Sequence, residues 1–136
     1  MRYQHSVLIE APVDRVWQLT TDVAAWPTFM PTMQSVERLD PGPLRVGSTA
    51  RIKQPAQSAA VWTVTRLVDR QEFAWETHRM GLRMIGSHRL EPVDGGTRNT
   101  LGIEVIGRGA GLFGAILGPA LRRAIQQENA AFQRTA

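Results

Sequence analysis

The chain has 136 residues, a formal net charge of +4, 43% hydrophobic and 21% charged residues, and no cysteine. These values fit one globular domain spanning residues 1–136 around one core, and they exclude a disulfide framework and thiolate metal sites. The positive charge is almost wholly arginine, with Lys53 the sole lysine and no basic run longer than Arg122-Arg123, so the basic stripe that nucleic-acid binding requires is missing.

Residues 1–10 alternate polar and apolar side chains. They lack the apolar segment of a secretory signal, and a cytoplasmic location is expected. Arg2 to Glu10 reads as a strand with Tyr3, His5, Val7 and Ile9 on one face. Ala11-Pro12 ends it. Pro12 and Asp14 then favour a helix start, and Val13–Thr21 follows with Val13, Val16, Trp17 and Thr20 on one side. Between Asp22 and Pro31, Pro27 and Pro31 leave room for a turn or two of helix.

Six strand-like runs come next: Met33–Leu39, Ser48–Gln54, Ala59–Leu67, Glu72–Arg79, Leu82–Glu91 and Arg98–Ile106. Asp40-Pro41-Gly42-Pro43, Val68-Asp69-Arg70 and Asp94-Gly95-Gly96 punctuate them as turns. Pro92 with Asp94-Gly95-Gly96 is the clearest hairpin signal. Consecutive strands on short turns make an antiparallel meander, and a long sheet of that kind twists and curls.

The last stretch runs from Gly107 to Arg134. Phe113, Leu117 and Leu121 recur at i, i+4 and i+8, flanked by Leu112 and Ile116, which predicts a helix from about Gly111 with a broad apolar stripe against the sheet. The longest apolar run, Ala110 to Leu121, is shorter than the ~20 residues that cross a bilayer, so no integral membrane segment is expected. Burial on the sheet is its expected fate, and a membrane surface is the other. Pro119 should kink this helix near Ala115, unless the helix starts nearer Pro119 and the glycines form a loop. Gly109-Ala110-Gly111-Leu112-Phe113-Gly114 matches the dinucleotide-binding spacing literally. No βαβ unit accompanies it, so no nucleotide or other cofactor is expected. Nor is there an HExxH-like spacing or a His/Asp/Glu cluster that would hold a metal.

One set of segments carries a family resemblance. It comprises Ile9-Glu10-Ala11-Pro12-Val13-Asp14-Arg15-Val16-Trp17, Asp22 with Trp26-Pro27 and Met30-Pro31, and Val46-Gly47-Ser48. It continues with Trp62-Thr63-Val64-Thr65, Phe73-Ala74-Trp75, and His88-Arg89-Leu90-Glu91-Pro92 ending in Gly95-Gly96-Thr97. In these the chain resembles the START-related (SRPBCC) superfamily, in its bacterial polyketide cyclase/dehydrase-like branch. The resemblance implies an α+β helix-grip fold: a seven-stranded curved antiparallel sheet wrapped on a long C-terminal helix, with two short helices between strands 1 and 2. It also implies a cavity between sheet and helix for a small hydrophobic molecule such as a lipid, polyketide or aromatic metabolite. It brings no single catalytic motif.

Strand alternation selects the residues that would line that cavity. Ala50 with Ile52, and Trp62 with Val64, face inward; the latter choice would also turn Arg66 in. Phe73, Trp75 and Thr77 follow on the next strand, then Met84 and His88, then Asn99 and Leu101. Trp26, Phe29 and Met30 add a proline-bracketed lid, and Phe113, Leu117 and Leu121 the helix wall. The aromatics and methionines either clasp a flat ligand or are plain core. A hollow of at least a few hundred cubic ångströms is expected, like the ~300–1,000 Å3 of small-molecule pockets.

His88 is the one titratable side chain this reading puts inside. It is a candidate general acid or base for a dehydration or aldol closure, or else a neutral, hydrogen-bonded core histidine. Asn99, across the hairpin, is expected to share a polar spot with it and to orient a ligand carbonyl or hydroxyl. His5 and His78 are placed at the surface or sheet edge. The leading functional expectation is a binder or carrier of a small hydrophobic molecule, and the alternative is a cyclase/dehydratase using His88. A third reading is an interaction module or homodimer, whose sign would be an exposed apolar patch around Leu112, Phe113 and Ile116.

Overall fold

The computed structural model describes residues 1–55 and 57–136. In chain order its elements are β1 (Arg2–Ile9), α1 (Val13–Thr21), a 3-10 turn (Val23–Thr28), β2 (Ser35–Arg38), β3 (Thr49–Lys53), β4 (Ala60–Val68), β5 (Glu72–Arg79), β6 (Leu82–Val93), β7 (Gly96–Ile106) and α2 (Ala110–Thr135). The strands form one antiparallel sheet in the order β1-β7-β6-β5-β4-β3-β2. From β2 to β7 this is the expected meander. β1 closes the far edge by pairing with β7, Arg2 opposite Glu104 and Ile9 opposite Thr97. The arrangement is the helix-grip fold.

Local chemistry fixes the elements before the meander. Pro12 stands in extended conformation ahead of α1, and Asp14 places negative charge in its first turn. Val16 and Thr20 are buried, and the Thr20 hydroxyl donates back to the Val16 carbonyl at 2.8 Å. The 3-10 turn accommodates Pro27. Trp26 anchors that turn over α1 by donating its indole N–H to the Leu19 carbonyl at 3.1 Å.

The inward faces of β3, β5, β6 and β7 follow the alternation of the sequence, with Ala50, Ile52, Phe73, Trp75, Thr77, His88, Asn99 and Leu101 all buried. β4 departs from it. Val64 pairs with Trp75, but Arg66 pairs with Ala74 and Leu67 with Phe73, so a β-bulge falls at Thr65. The extra residue reverses the alternation. Arg66 therefore lies on the outer face, its Nε donating to Glu72 at 2.6 Å, and Leu67 packs on the core instead. The expected inward Arg66 is wrong for that reason.

Gly96 is the glycine the hairpin depends on. It has φ +148°, and a Cβ there would stand 2.0 Å from the Ile9 carbonyl oxygen. The β6–β7 hairpin can fold against the end of β1 only without a side chain at this position.

α2 is continuous through Pro119, so the late-starting helix is ruled out. It is turned about its axis from the expected orientation. The buried positions are Gly118, Ile125, Asn129, Ala131 and Phe132. Leu112, Ile116 and Leu117 are 69%, 67% and 43% exposed. Gly114 and Gly118 lie on the edge that packs on Met1, where a Cβ would fall 3.1 and 3.8 Å from its side-chain atoms. The bulkier Leu112 and Ile116 stand on the opposite side of the helix.

Candidate functional site

Between the concave face of the sheet and α2 lies a cavity of about 70 Å3, open to solvent on one side. Trp26 and Met33 line it from the α1–β2 connection. Ile52, Gln54, Trp62, Trp75, His88 and Ile103 line it from the sheet, and Leu121, Ala124, Ile125 and Glu128 from α2. The inner space is well below the expected few hundred cubic ångströms.

The shortfall has a plain cause: aromatic rings fill the interior. Trp26 stands 5.3 Å from Trp75 and 5.3 Å from His88, centroid to centroid. Phe73 stands 4.9 Å from Trp75. Trp62 stands 5.7 Å from Trp75, and both rings rest over Gly86, where a Cβ would meet them at 3.4–3.7 Å. These separations are those of ordinary tilted and edge-to-face aromatic contacts.

His88 sits in the middle of this cluster, also touching Phe73 at 5.4 Å and Phe132 at 5.8 Å. Its Nδ1 is buried and has no hydrogen-bond partner among the described residues. Burial depresses its pKa from 6.5 to about 3, so the ring is neutral at physiological pH. A neutral ring surrounded by hydrocarbon cannot supply an imidazolium.

The group that can carry a proton is Glu128. It is half-buried on α2, lines the same cavity, and accepts a hydrogen bond from the Thr32 hydroxyl at 3.2 Å. Burial pushes its pKa up from 4.5 to about 7, against the opposing pull of Thr32. It exchanges protons near neutrality, where general acid–base groups work best.

Of the residues expected to line the site, Trp26, Ile52, Trp62, Trp75, His88 and Leu121 do so. Met30, Val64, Phe73 and Leu101 are buried core behind them. Phe29 is a half-buried neighbour of Phe132 at 5.7 Å, and Met84 is a partly buried packing residue. Thr77 donates its hydroxyl to the Val61 carbonyl at 2.7 Å. Phe113 and Leu117 are carried off the cavity by the turn of α2.

Asn99 is not beside the cavity with His88. It donates to Asn129 Oδ1 at 2.8 Å. Asn129 in turn donates to His5 Nδ1 at 2.9 Å and to the His5 carbonyl at 2.8 Å. The three form a polar clamp tying α2 to β7 and the edge strand β1. His5 thus faces inward from the edge, whereas His78 is exposed as expected.

Glu128 was missed although a signal for it exists. Leu121, Ile125 and Glu128 fall at i, i+4 and i+7, and Glu128 is the only acidic residue of α2. A helix face containing Leu121 must also present Glu128.

The family model described as polyketide cyclase / dehydrase and lipid transport matches residues 1–136. A curated protein of Streptomyces halstedii named "Putative polyketide cyclase" is 30% identical over 82 residues, covering 57% of this chain and 72% of that one. Among solved structures, the Zhui aromatase/cyclase from Streptomyces sp. R1128 superposes with a TM-score of 0.77 at 23% identity, over 98% of this chain and 91% of that one. The di-domain ARO/CYC BexL of the BE-7585A biosynthetic pathway gives 0.74 at 25% identity, over 98% of this chain and 45% of that one. A hypothetical protein of Helicobacter pylori gives 0.79 at 14% identity, over 98% and 84%.

Proposed function

The chain belongs to the polyketide cyclase / dehydrase and lipid transport family, and from that premise we propose that it binds a small, flat, largely apolar molecule in the cavity between sheet and α2. One observation carries this reading. The cavity is walled by three tryptophans, and Glu128 stands at its edge as an uncharged or readily protonated carboxyl. An apolar guest burying about 200 Å2 there gains roughly 5 kcal/mol from desolvation. A ligand carbonyl or hydroxyl would meet Glu128, and the volume of about 70 Å3 favours a small guest such as a single ring or a chain end.

The test is ligand titration followed by tryptophan fluorescence, together with melting temperature, across fatty acids, monocyclic phenols and fused-ring aromatic polyketides. Small aromatic members should quench the emission and raise the melting temperature. Ala124→Trp, which fills the cavity from the helix side, should abolish both effects. No response to any member, or a response that survives Ala124→Trp, overturns the reading.

A second reading is favoured by Glu128 specifically: a cyclase or dehydratase in which Glu128, rather than His88, moves the proton. Its carboxylate would take a proton from a carbon between two carbonyls. That carbon would then bond to a second carbonyl, whose oxygen is protonated and later leaves as water. Turnover of a poly-β-carbonyl substrate that follows an apparent pKa near Glu128's own and is lost in Glu128→Gln would support this reading over binding alone. Binding without turnover would reject it.

A further inference from the structure

The exposed half of α2 has no role in the cavity, and its composition is unusual for a solvated helix face. Leu112, Ile116, Pro119 and Arg123 follow one another at i, i+4, i+7 and i+11 on its outer side. Leu112 and Ile116 are two-thirds exposed, and Ala115, Pro119 and Ala120 around them are exposed as well. At the foot of the helix a Cβ on Gly107 would stand 2.7 Å from the Gly81 carbonyl oxygen. The β5–β6 turn therefore abuts this point, and it carries Met80 at 91% exposure. Large apolar side chains gathered on one surface mark a contact region rather than chance.

The charges around the patch indicate what that contact is. Residues 105–127 contain no aspartate or glutamate, while Arg108, Arg122 and Arg123 flank the apolar turns. Among the described residues none of these three arginines pairs with a carboxylate. The Arg122 guanidinium lies 5.9 Å over the Tyr3 ring, which leaves Arg108 and Arg123 as the exposed, unengaged cations. A second copy of the chain is a poor occupant. Two such faces related by a two-fold axis would bring arginine to arginine with no acid between them. An anionic bilayer supplies both things the face lacks, an apolar phase and negative headgroups.

We propose that the first half of α2 docks this protein onto anionic lipid surfaces, with Leu112, Ile116 and Met80 entering the interface and Arg108 and Arg123 meeting the headgroups. Among the described residues no helix is long and apolar enough to cross a membrane, so the attachment is peripheral and reversible. The same helix contributes Leu121, Ala124, Ile125 and Glu128 to the cavity. Docking thus brings one cavity wall close to the bilayer, whatever molecule the cavity takes.

Co-sedimentation with vesicles of phosphatidylcholine alone, or containing about 30% phosphatidylglycerol, tests this. Binding should appear on the anionic vesicles and weaken as salt rises from about 0.05 to 0.5 M. Arg108→Ala and Arg123→Ala should each lower partitioning by about fivefold. Leu112→Asp with Ile116→Asp should lower it by more than about tenfold. Both leucine and isoleucine are exposed, so that double variant should keep the melting temperature, and it should keep ligand-induced tryptophan quenching. Retained quenching separates failure here from failure of the cavity reading. Absence of anionic-vesicle binding overturns the proposal, as does binding indifferent to the double variant. So does a concentration-dependent dimer in sedimentation velocity that the double variant dissolves, which would make the partner a second copy.

Discussion

Glu128→Gln provides the sharpest test of the site, because among the described residues the cavity is lined by two titratable side chains, His88 and Glu128, and they act in opposite directions. Glu128 has its pKa raised from 4.5 to about 7. The folded state therefore holds this proton more tightly than the unfolded chain, and the stability it contributes below pH 4.5 is lost as pH rises to about 7. At ~1.36 kcal/mol per unit the loss is at most about 3–4 kcal/mol, a ceiling that solvent screening lowers for a half-buried group. His88 has its pKa depressed from 6.5 to about 3. Its stability is complete above pH 6.5 and is lost as pH falls toward 3. Between pH 4.5 and 6.5 one group lowers stability with rising pH by the same slope with which the other raises it. The wild-type profile should be nearly flat across that window. Glu128→Gln leaves only the histidine, and the variant should gain about 2–3 kcal/mol from pH 4.5 to 6.5. Urea midpoints at half-unit intervals, with a common m-value, measure this directly. Parallel wild-type and variant curves would show that Glu128 titrates as an ordinary surface carboxylate, and the proposed proton carrier would be lost.

Three further outcomes follow from particular contacts. His88→Leu removes a buried, unpartnered Nδ1; at pH 7 it should leave stability unchanged or raise it by about 1 kcal/mol, and a loss above 2 kcal/mol in a urea melt would refute that account. Gly111→Ala should stabilise by up to ~1 kcal/mol through helix propensity, since a Cβ there meets nothing within 4 Å. Gly114→Ala should gain less or lose, because Met1 stands at 3.1 Å; thermal melts that rank Gly114→Ala above Gly111→Ala contradict the packing argument. Asn129→Ala leaves the Asn99 amide and two His5 acceptors unpaired, a cost of about 2–4 kcal/mol, and faster amide exchange in β1 than in β5 would localise the damage.

The sheet was legible because its signals are local. Alternation and turn residues fix β5 to the residue, and in β6 and β7 they turn His88, Asn99 and Leu101 inward, as they are. They fail at Thr65, where the bulge comes from how β4 pairs with β5 and leaves no mark in a period-two pattern. The face of α2 was misread for a different reason. Hydrophobicity points to Phe113, Leu117 and Leu121, but a helix packs by the closest approach its side chains allow. In the first half of α2 Gly114 and Gly118 pack on Met1 while Leu112 and Ile116 face outward, and in the second half Ile125 and Phe132 are buried.

That single rotation connects the features that bear on function. It moves Phe113 and Leu117 off the cavity and turns Leu112 and Ile116 out to solvent, while Leu121 and Glu128, which share a face, stay at the cavity. An α2 turned to bury Phe113 and Leu117 would have left a more polar outer face. The observed orientation instead leaves an apolar, arginine-flanked surface outside. Replacing Gly114 and Gly118 together with leucine should therefore act on that surface. If the helix turns to relieve contact with Met1, vesicle binding should weaken while Glu128 keeps its raised pKa. Unchanged vesicle binding, in a protein that still melts cooperatively, would show that the glycines do not set the outer face.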